Sequence, residues 1–255
     1  MKNPKSILIT GASSGIGEGL ALSYAAPGAT LALSGRDRKR LTAVAKACRA
    51  KGARVFPKLL DIRNAKPVAA WVRAADRKAP LDLVIANAGV GLQRDDFKTM
   101  LEAATFTNAV NVIGVFNTIH PALDLMEKRG RGQVAIMASL AGLLALPSSP
   151  VYSASKHAVR AYGEALRPLY ARKGIEINVI CPGWVRSRLT ERNRYPMPFF
   201  METGKAVRVI RKGLERNTCR IAFPWPLAAM VRFMNALPAA WTSAILGRVV
   251  LRGRV

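Results

Sequence analysis

The chain has 255 residues, 50% of them hydrophobic, so it can bury one large core, and we expect a single domain over residues 1–255. Lys and Arg number 40 against 15 acidic residues, and the resulting formal charge of +25 favours nucleic acid, acidic lipid or a phosphorylated ligand as partners. No block of Lys and Arg is interleaved with aromatic residues, so the sequence predicts no nucleic-acid site.

Short apolar, β-branched runs alternate with longer segments of helical periodicity along most of the chain. The predicted strands are 6–10, 30–34, 54–60, 81–86, 132–138, 175–181 and 220–223. The predicted helices are 15–25, 38–50, 65–78, 102–128, 153–172 and 204–215. This alternation is typical of βαβ units, and it predicts a Rossmann-like, doubly wound parallel sheet of about seven strands, with helices on both faces in three α/β/α layers.

The first predicted strand ends in "TGASSGIG", which places Gly11, Gly15 and Gly17 at the turn into a helix. Such a turn lets the backbone approach a pyrophosphate, whose charge is met by free N–H groups and by the positive end of the helix dipole. A tight turn alone would explain one or two of these glycines but not all of them. The G-x-x-x-G-x-G spacing differs from the G-x-G-x-x-G dinucleotide fingerprint, so the prediction of a nucleotide site does not depend on that motif.

The second predicted strand ends in "LALSGRDRKRL", where Arg36 stands in the place at which an NAD-selective site usually has a carboxylate. A guanidinium can pair with the 2'-phosphate of NADP, which a carboxylate would repel. Asp37 has two interpretations: it is the ribose-binding acid displaced by one residue, or it is the N-cap of the next helix. The segment favours NADP(H) over NAD(H).

The stretch "VYSASKHAV" places Tyr152 and Lys156 on one helical face, because their spacing is i, i+4. The residues between them, Ser153, Ala154 and Ser155, are small, and we expect them to leave space for a ligand beside the phenol and the ammonium. The pair also arises by chance in many helices, so it identifies a catalytic site only together with the rest of the chain.

The segment 224–255 is apolar, but Arg232, Pro238 and Arg248 divide it into runs shorter than the roughly 20 residues that a membrane-spanning helix needs. It also lacks acidic residues. Its larger apolar side chains recur at intervals of three to five residues and predict one amphipathic helix that packs on another subunit or on lipid. These side chains are Trp225, Met230, Phe233, Leu237 and Trp241.

The cysteines, Cys48, Cys181 and Cys219, are odd in number and widely separated, and the histidines, His120 and His157, have no ligand-like neighbours. We therefore expect a reducing compartment and no metal site. The first apolar run, in "MKNPKSILIT", is too short for the core of a signal peptide. A cytoplasmic location is expected.

Taken together, the chain resembles the single-domain branch of the short-chain dehydrogenase/reductase family. The similarity extends from residue 6 to about residue 223. It rests on motifs that are weak singly but specific in this order: "TGASSGIG", Asp61 in "LLDI", "NAG" at 87–89, Asn111, Ser139, Tyr152, Lys156, and "PG" at 182–183.

The resemblance implies an NAD(P)-dependent oxidoreductase with a catalytic tetrad of Asn111, Ser139, Tyr152 and Lys156. Ser139 would donate a hydrogen bond to the substrate carbonyl, and Tyr152 would deliver the proton that completes reduction. Lys156 would hold the nicotinamide ribose. Asn111 would anchor a proton-relaying water; "TNAVNVIGVF" has two asparagines that could be ordinary polar positions of a helix, and the register relative to "NAG" favours Asn111.

The cofactor contacts that the resemblance implies follow the same motifs, from the glycine turn to the segment after "PG". They are Gly11, Ser13, Ser14, Gly15, Ile16, Gly17, Arg36, Asp61, Ile62, Asn87, Ala88, Gly89, Tyr152, Lys156, Pro182, Gly183, Val185 and Ser187. Ser14 replaces a basic residue that NADP-preferring relatives often carry, and Ser187 replaces the usual threonine. Ala86 stands where an asparagine commonly precedes "NAG".

Substrate identity should depend on the segments 140–150 and 182–201, which are apolar and which we expect to be flexible. They suggest a hydrophobic ketone or aldehyde, or the matching alcohol, under a mobile lid. The second segment contains four arginines: Arg186, Arg188, Arg192 and Arg194. They either pair with an anionic group of the substrate or are only solvated. A catalytically silent NADP-binding scaffold and a membrane-surface protein are alternatives to the enzyme, and the resemblance implies a homodimer or homotetramer.

Overall fold

A computed structural model describes residues 1–91, 97–191 and 197–252 of the chain. Its parallel sheet has seven strands in the order β3-β2-β1-β4-β5-β6-β7. The strands are β1 (Ser6–Ile9), β2 (Thr30–Gly35), β3 (Arg54–Leu59), β4 (Leu83–Ala86), β5 (Gly132–Met137), β6 (Ile175–Pro182) and β7 (Arg220–Phe223). The Rossmann-like fold predicted from the sequence is confirmed, and each predicted strand is present within two residues of its predicted bounds.

The helices begin with α1 (Gly15–Tyr24), α2 (Arg38–Ala50), α3 (Ala65–Lys78), α4 (Met100–Asn108), α5 (Gly114–Arg129) and α6 (Pro150–Ala171). They continue with α7 (Arg188–Glu191), α8 (Thr203–Glu215), α9 (Trp225–Ala236) and α10 (Ala239–Arg252). On one face of the sheet, α1, α2 and α8 pack through residues such as Leu20, Val44 and Ile210. On the other face, α3, α5 and α6 pack through residues such as Val72 and Leu123, which completes the three layers.

The central strands are apolar runs rather than alternating ones because both of their faces are covered. Every residue of β1, β2, β4 and β5 is buried, as expected for a parallel sheet between two helical layers. The edge strand β3, "RVFPKL", is only partly buried and includes Pro57 and Lys58. Proline and lysine at an edge discourage pairing with another chain.

The helix predicted at 102–128 is continuous but has a π turn, Ala109–Ile113, between α4 and α5. A capping box starts α4: the Thr99 hydroxyl accepts from the Glu102 backbone, and the Glu102 carboxylate accepts from the Thr99 backbone. The π turn includes Asn111. π turns inside α-helices are rare and are frequent at functional sites.

The prediction of one amphipathic helix after β7 is wrong. The segment forms two helices, α9 and α10, separated at Leu237 and Pro238. The backbone of Leu237 is extended, with φ −76° and ψ 154°, because the ring of the following proline disfavours the helical conformation in the residue before it. None of the helices in the described ranges is both long enough and apolar enough to cross a membrane.

The segment after β5 also differs from the expectation of a flexible apolar flank. Leu140–Gly142 is a 3-10 helix, and Leu140, Leu143 and Leu144 are buried in the core beside α6. Their apolar character therefore reflects packing of the fold. The hydroxyl of Ser153 on α6 donates to the Ala141 carbonyl at 2.8 Å and holds this segment in place.

Candidate active site

A cleft lies at the carboxyl ends of the strands, where the strand order reverses between β1 and β4. Open α/β sheets bind ligands at such a switch point, because the loops that leave the two neighbouring strands diverge there. All of the residues predicted to contact a cofactor line this cleft. They are Gly11, Ser13, Ser14, Gly15, Ile16, Gly17, Arg36, Asp61, Ile62, Asn87, Ala88, Gly89, Tyr152, Lys156, Pro182, Gly183, Val185 and Ser187.

The glycine turn between β1 and α1 is built around close backbone approaches. Gly11 and Gly15 have φ of +67° and +56°, which few other residues adopt. A Cβ added to Gly17 would lie 2.3 Å from the Gly11 carbonyl oxygen and 2.5 Å from Asn87 Nδ2. Asn87 Nδ2 itself donates to the Thr10 and Gly11 carbonyls at 2.9 and 3.2 Å, which ties the end of β4 to the turn.

Gly17→Ala should weaken both the fold and dinucleotide binding, because the new methyl group cannot be accommodated without moving the turn. We expect the free energy of unfolding to fall by about 1–3 kcal/mol and the Kd for NADPH to rise about 10-fold or more. Urea unfolding and a fluorescence titration measure the two effects. Gly204→Ala in α8 is the matched control, since the nearest atom to its Cβ would be at 3.9 Å; a variant at Gly17 with the wild-type Kd would contradict the account of the turn.

The segment from the end of β2 to the first turn of α2 brings two arginines, Arg36 and Arg40, to the cleft. Arg36 is exposed and lines it. The carboxylate of Asp37 accepts from the Arg40 backbone at 2.9 Å and caps α2, so the interpretation of Asp37 as an N-cap is confirmed. Arg40 Nη2 lies 3.1 Å from the same carboxylate.

Sequence reasoning missed Arg40 and Ser34, which also line the cleft. Arg40 Nε and Ser34 Oγ are buried polar atoms without a hydrogen-bond partner among the described residues. Buried polar groups in native proteins are nearly always paired, so two such atoms in one cleft wall point to a polar ligand. The available signal for Arg40 was its place in the first turn of the helix that Asp37 caps.

Asp61 and Ile62 follow β3 at the same end of the cleft. Arg63 Nη2 donates to one Asp61 carboxylate oxygen at 2.6 Å, and Arg63 Nε lies 3.0 Å from both oxygens. These hydrogen bonds hold the pKa of Asp61 below its usual range, and the charge of Arg36 acts in the same direction. The carboxylate is therefore ionised and fixed in position at neutral pH.

Tyr152 and Lys156 line the cleft from the first turns of α6. Lys156 is only 3% exposed, and its Nζ donates to the Met137 carbonyl at 2.9 Å. The same Nζ lies 5.7 Å from the centre of the Tyr152 ring. Burial lowers the pKa of Lys156 to about 8, so the ammonium predominates at pH 7.

Ser153 and Ser155, between Tyr152 and Lys156, do not leave space for a ligand as the sequence led us to expect. Neither Ser153 nor Ser155 borders the cleft, and both are buried on its inner side. The Ser153 hydroxyl holds the segment after β5, and the Ser155 hydroxyl donates to the Tyr152 carbonyl at 2.7 Å and accepts from Asn111 Nδ2 at 3.0 Å. Hydroxyl groups here fix the helix that carries the tyrosine, rather than leaving space for a ligand.

Ser139 follows β5 and lines the cleft beside the tyrosine's helix. Its Oγ accepts from the Ala141 backbone at 3.1 Å and donates to the Pro182 carbonyl at 3.3 Å. The second hydrogen bond is long, so the hydroxyl hydrogen can be redirected to a better acceptor. Ser139 therefore has both the position and the donor needed to contact a ligand oxygen.

Asn111 is the one predicted tetrad residue that is not on the wall of the cleft. It is fully buried in the π turn, where its side chain pairs with both the N–H and the C=O of Val90, at 2.8 and 2.9 Å. A Cβ added to Gly89 would lie 3.1 Å from Asn111 Oδ1 and 3.3 Å from Lys156 Nζ. The side chains of Asn111 and Lys156 thus both lie close to Gly89. The hydrogen bonds of Asn111 hold the backbone of Val90, the residue that follows "NAG", in position.

The segment after β6 closes the other side of the cleft. Sequence reasoning did not single out Thr190, which is 6% exposed and lines the cleft. Its hydroxyl lies 2.9 Å from the carbonyls of Val185 and Ser187 and accepts from the Ser187 backbone at 3.0 Å. A Ser187 carbon would lie 3.0 Å from a Cβ on Gly15, so this segment packs directly against the glycine turn.

The arginines of this segment have different environments. Arg186 pairs with Glu202, with its Nε at 2.9 Å, and lies over the Phe200 ring. Arg188 lines the cleft. Arg192 and Arg194 lie outside the described residues.

Comparisons with known proteins agree with this geometry. A sequence profile of the family described as short chain dehydrogenase matches residues 5–197. An uncharacterized oxidoreductase of Myxococcus xanthus is 39% identical over 235 residues, which cover 92% of this chain and 93% of the relative. A short chain dehydrogenase/reductase of Burkholderia phymatum, solved in complex with NAD, superposes with a TM-score of 0.80 at 25% identity and covers 89% of this chain and 91% of its own.

A second solved structure, a short-chain dehydrogenase from Sphingobium yanoikuyae in complex with NADPH, has a TM-score of 0.78. The match covers 98% of this chain and 95% of that one. Its identity is 23%, so it bears on the fold alone.

Proposed function

The chain belongs to the short chain dehydrogenase family, and from that premise we propose that it is an NADPH-dependent reductase of hydrophobic ketones or aldehydes, or catalyses the reverse alcohol oxidation. That it is an oxidoreductase acting on CH–OH or C=O groups follows from the family. The proposal of NADPH-dependent carbonyl reduction rests on one observation. Ser139, Tyr152 and Lys156 line the same cleft as the glycine turn and as the two arginines, Arg36 and Arg40.

The residues of the cleft fit a nicotinamide dinucleotide. The absence of a side chain at Gly17 lets the start of α1 pack directly against the Gly11 carbonyl and Asn87, and the turn leads into a helix whose dipole favours phosphate. The polar atoms of Ser34, at the end of β2, and of Arg40, in the first turn of α2, have no partner among the described residues. They lie where a dinucleotide site of this fold holds the adenosine ribose. When bound, the nicotinamide supplies or accepts the hydride.

The protein's own part in reduction is to bind, orient and protonate the carbonyl. The Ser139 hydroxyl donates to the substrate oxygen and places it beside the Tyr152 phenol, which transfers its proton to that oxygen as negative charge develops. Among the described residues the Lys156 ammonium has one hydrogen bond, to the Met137 carbonyl, which leaves two of its three donors for a ribose hydroxyl. Its charge also favours the tyrosinate that remains after the proton has left. Asn111 keeps the Val90 backbone in place behind this group.

The preference for NADPH is proposed from Arg36 and Arg40. The two solved structures of this fold were obtained with NAD in one case and NADPH in the other, so the fold alone does not select the cofactor. In this chain Asp37 lines the cleft, where it caps α2 and pairs with Arg40, and Asp61 pairs with Arg63. Each carboxylate is therefore partly compensated by a neighbouring guanidinium. A 2'-phosphate would pair with Arg36, for which no ion pair is seen among the described residues, and would share Arg40 with Asp37.

Arg36→Ala and Arg40→Ala should each raise the Kd for NADPH by about 10-fold, because each removes a charge-assisted hydrogen bond to phosphate. The Kd for NADH should stay within about twofold, since NADH lacks the 2'-phosphate. Fluorescence titration of each variant with both cofactors measures the ratio. Arg38→Ala is the matched control, an exposed arginine of α2 outside the cleft; an unchanged NADPH-to-NADH ratio in the first two variants would contradict the assignment.

The substrate class is proposed from the apolar character of the open side of the cleft. Val90 and Val185 line it, and Phe199 and Phe200 are exposed nearby, on a segment whose Met201 pairs with Val185. Arg188 also lines the cleft, so an anionic group on the substrate would have a partner there. The test is NADPH consumption, with NADH in parallel, against a panel of apolar ketones, aldehydes and quinones, some carrying a carboxylate or phosphate.

We place the protein in the cytoplasm, as a homodimer or homotetramer that contacts a membrane surface through its last two helices. Free thiols at Cys48, Cys181 and Cys219 suit a reducing compartment. The homo-oligomer is proposed from the resemblance to the family. Light scattering after size-exclusion chromatography measures the mass of the assembly.

A further inference from the structure

The outward sides of α9 and α10 carry large apolar side chains in contact with solvent. The exposed fractions are 78% for Trp225, 49% for Met230, 66% for Phe233, 64% for Trp241 and 41% for Ile245. Most large apolar groups of a soluble domain are covered, so a group of five on two consecutive helices indicates an interaction surface. We call these five residues the outward face.

The inward side of α9 is already anchored. Leu227, Ala228 and Val231 are buried in the core beside the sheet, and Phe233 lies on the opposite side of the helix from them. Thr242 of α10 donates to the Met234 carbonyl at 2.9 Å, which ties the second helix to the first. The two helices that carry the outward face are therefore attached to the rest of the domain. The exposure of the face does not result from a detached segment.

The charged residues of the segment that carries the outward face have one sign. No acidic residue follows Glu215, whereas several arginines do: Arg216, Arg220, Arg232, Arg248, Arg252 and Arg254. Arg232 is exposed next to Phe233, and Arg248 is exposed one helical turn after Ile245. Neither pairs with a carboxylate within the part of the chain that the structure describes.

We propose that the outward face, with Arg232 and Arg248, binds the surface of an anionic phospholipid bilayer. Tryptophan and phenylalanine rings are favoured at the headgroup level of a bilayer, and flanking arginines meet lipid phosphates. A second copy of the chain fits this face less well, because a self-complementary contact here would bring Arg232 and Arg248 against the same arginines. The inference refines the surface contact proposed above and does not depend on the reductase activity.

The test is co-sedimentation of the full-length protein with vesicles of phosphatidylcholine mixed with phosphatidylglycerol, and with vesicles of phosphatidylcholine alone. Binding to the mixed vesicles should weaken about 10-fold or more in the triple variant Trp225→Ser, Phe233→Ser, Trp241→Ser, which loses the inserted rings. It should also weaken about 10-fold in Arg232→Gln, Arg248→Gln, and more so at low salt than at high salt.

The matched control is Leu101→Ser, Leu169→Ser, which removes exposed apolar groups from other helices and should leave vesicle binding unchanged. Equal weakening by this control, or equal binding to both kinds of vesicle, would overturn the proposal. So would a triple variant that bound vesicles like the wild type but fell to a smaller mass in solution, since a second copy would then occupy the face.

Quenching of tryptophan fluorescence by brominated phosphatidylglycerol tests insertion in the wild type and needs no variant. Strong quenching supports the proposal, and none refutes it. Binding of NADPH and turnover are measured on the same samples. If the wild type shows turnover but no vesicle binding, the membrane proposal fails and the reductase proposal stands. If it binds vesicles but shows no turnover, the reductase proposal fails and the membrane proposal stands.

Discussion

Tyr152→Phe should lower kcat for NADPH-dependent carbonyl reduction by about 10³-fold, while the Kd for NADPH stays within about twofold of the wild type. The variant keeps the ring but has no proton to give, and general acid catalysis is typically worth 10²–10⁴ in rate. Cofactor affinity should be retained because the turn and the arginines that we propose to bind the phosphates are untouched. Stopped-flow measurement of NADPH oxidation and a binding titration give the two quantities.

Tyr162→Phe is the matched control for this result, since it removes a phenol hydroxyl from the same helix. Tyr162 lies outside the cleft, where its hydroxyl pairs with His120 at 2.9 Å. We expect its kcat to stay within about twofold of the wild type. Turnover by Tyr152→Phe at the wild-type rate would show that the proton comes from another group, and the proposed mechanism would be wrong.

Lys156→Met should lower kcat by about 10²-fold, because it removes the ammonium that we propose to favour the tyrosinate and to hold the ribose. The side chains are similar in length, so the packing of this buried position changes little. The Met137 carbonyl loses its hydrogen bond from Lys156 Nζ, and this costs stability on its own. A second measurement is therefore needed to distinguish the effect of losing the ammonium charge from the effect of losing this hydrogen bond and its packing.

The pH dependence of stability supplies that measurement. Lys156 has a pKa of about 8 in the folded protein, below its ordinary value of about 10.4 in an unfolded chain. Between these values the unfolded chain holds a proton that the folded chain has released, so the folded state gains stability as the pH rises through this window. Below about pH 8 the lysine is charged in both states, and the cost of burying the ammonium is present in full.

We therefore expect the wild type to gain about 2 kcal/mol relative to Lys156→Met between pH 7.5 and 9.5. Urea unfolding of both proteins, with equal m-values, measures the difference. In the same range kcat/KM for NADPH should fall in the wild type, because it follows the ionisation of the free enzyme. A difference in stability that did not change with pH would show that Lys156 titrates normally.

Local sequence predicted most of the fold and part of the site. The strands of β1, β2 and β5 are recognisable because a sheet covered on both faces requires continuous apolar runs. Gly11, Gly15 and Gly17 stand close together in one turn, so their spacing alone indicates a close backbone approach. Tyr152 and Lys156 share a face because four residues of helix return to the same side. Each of these features depends on residues that are neighbours in the chain.

The remaining features depend on contacts between segments that are far apart in the sequence. Ser34 and Arg40 line the cleft because β2 and β4 flank β1 in the sheet, so the segments that follow their carboxyl ends border the same opening. The lowered pKa of Lys156 comes from burial under β5, and no residue near it in sequence indicates that environment. Whether the outward face would be covered or exposed was likewise decided by the tertiary structure, because a helical pattern marks an apolar side but the packing of distant strands determines which side is buried.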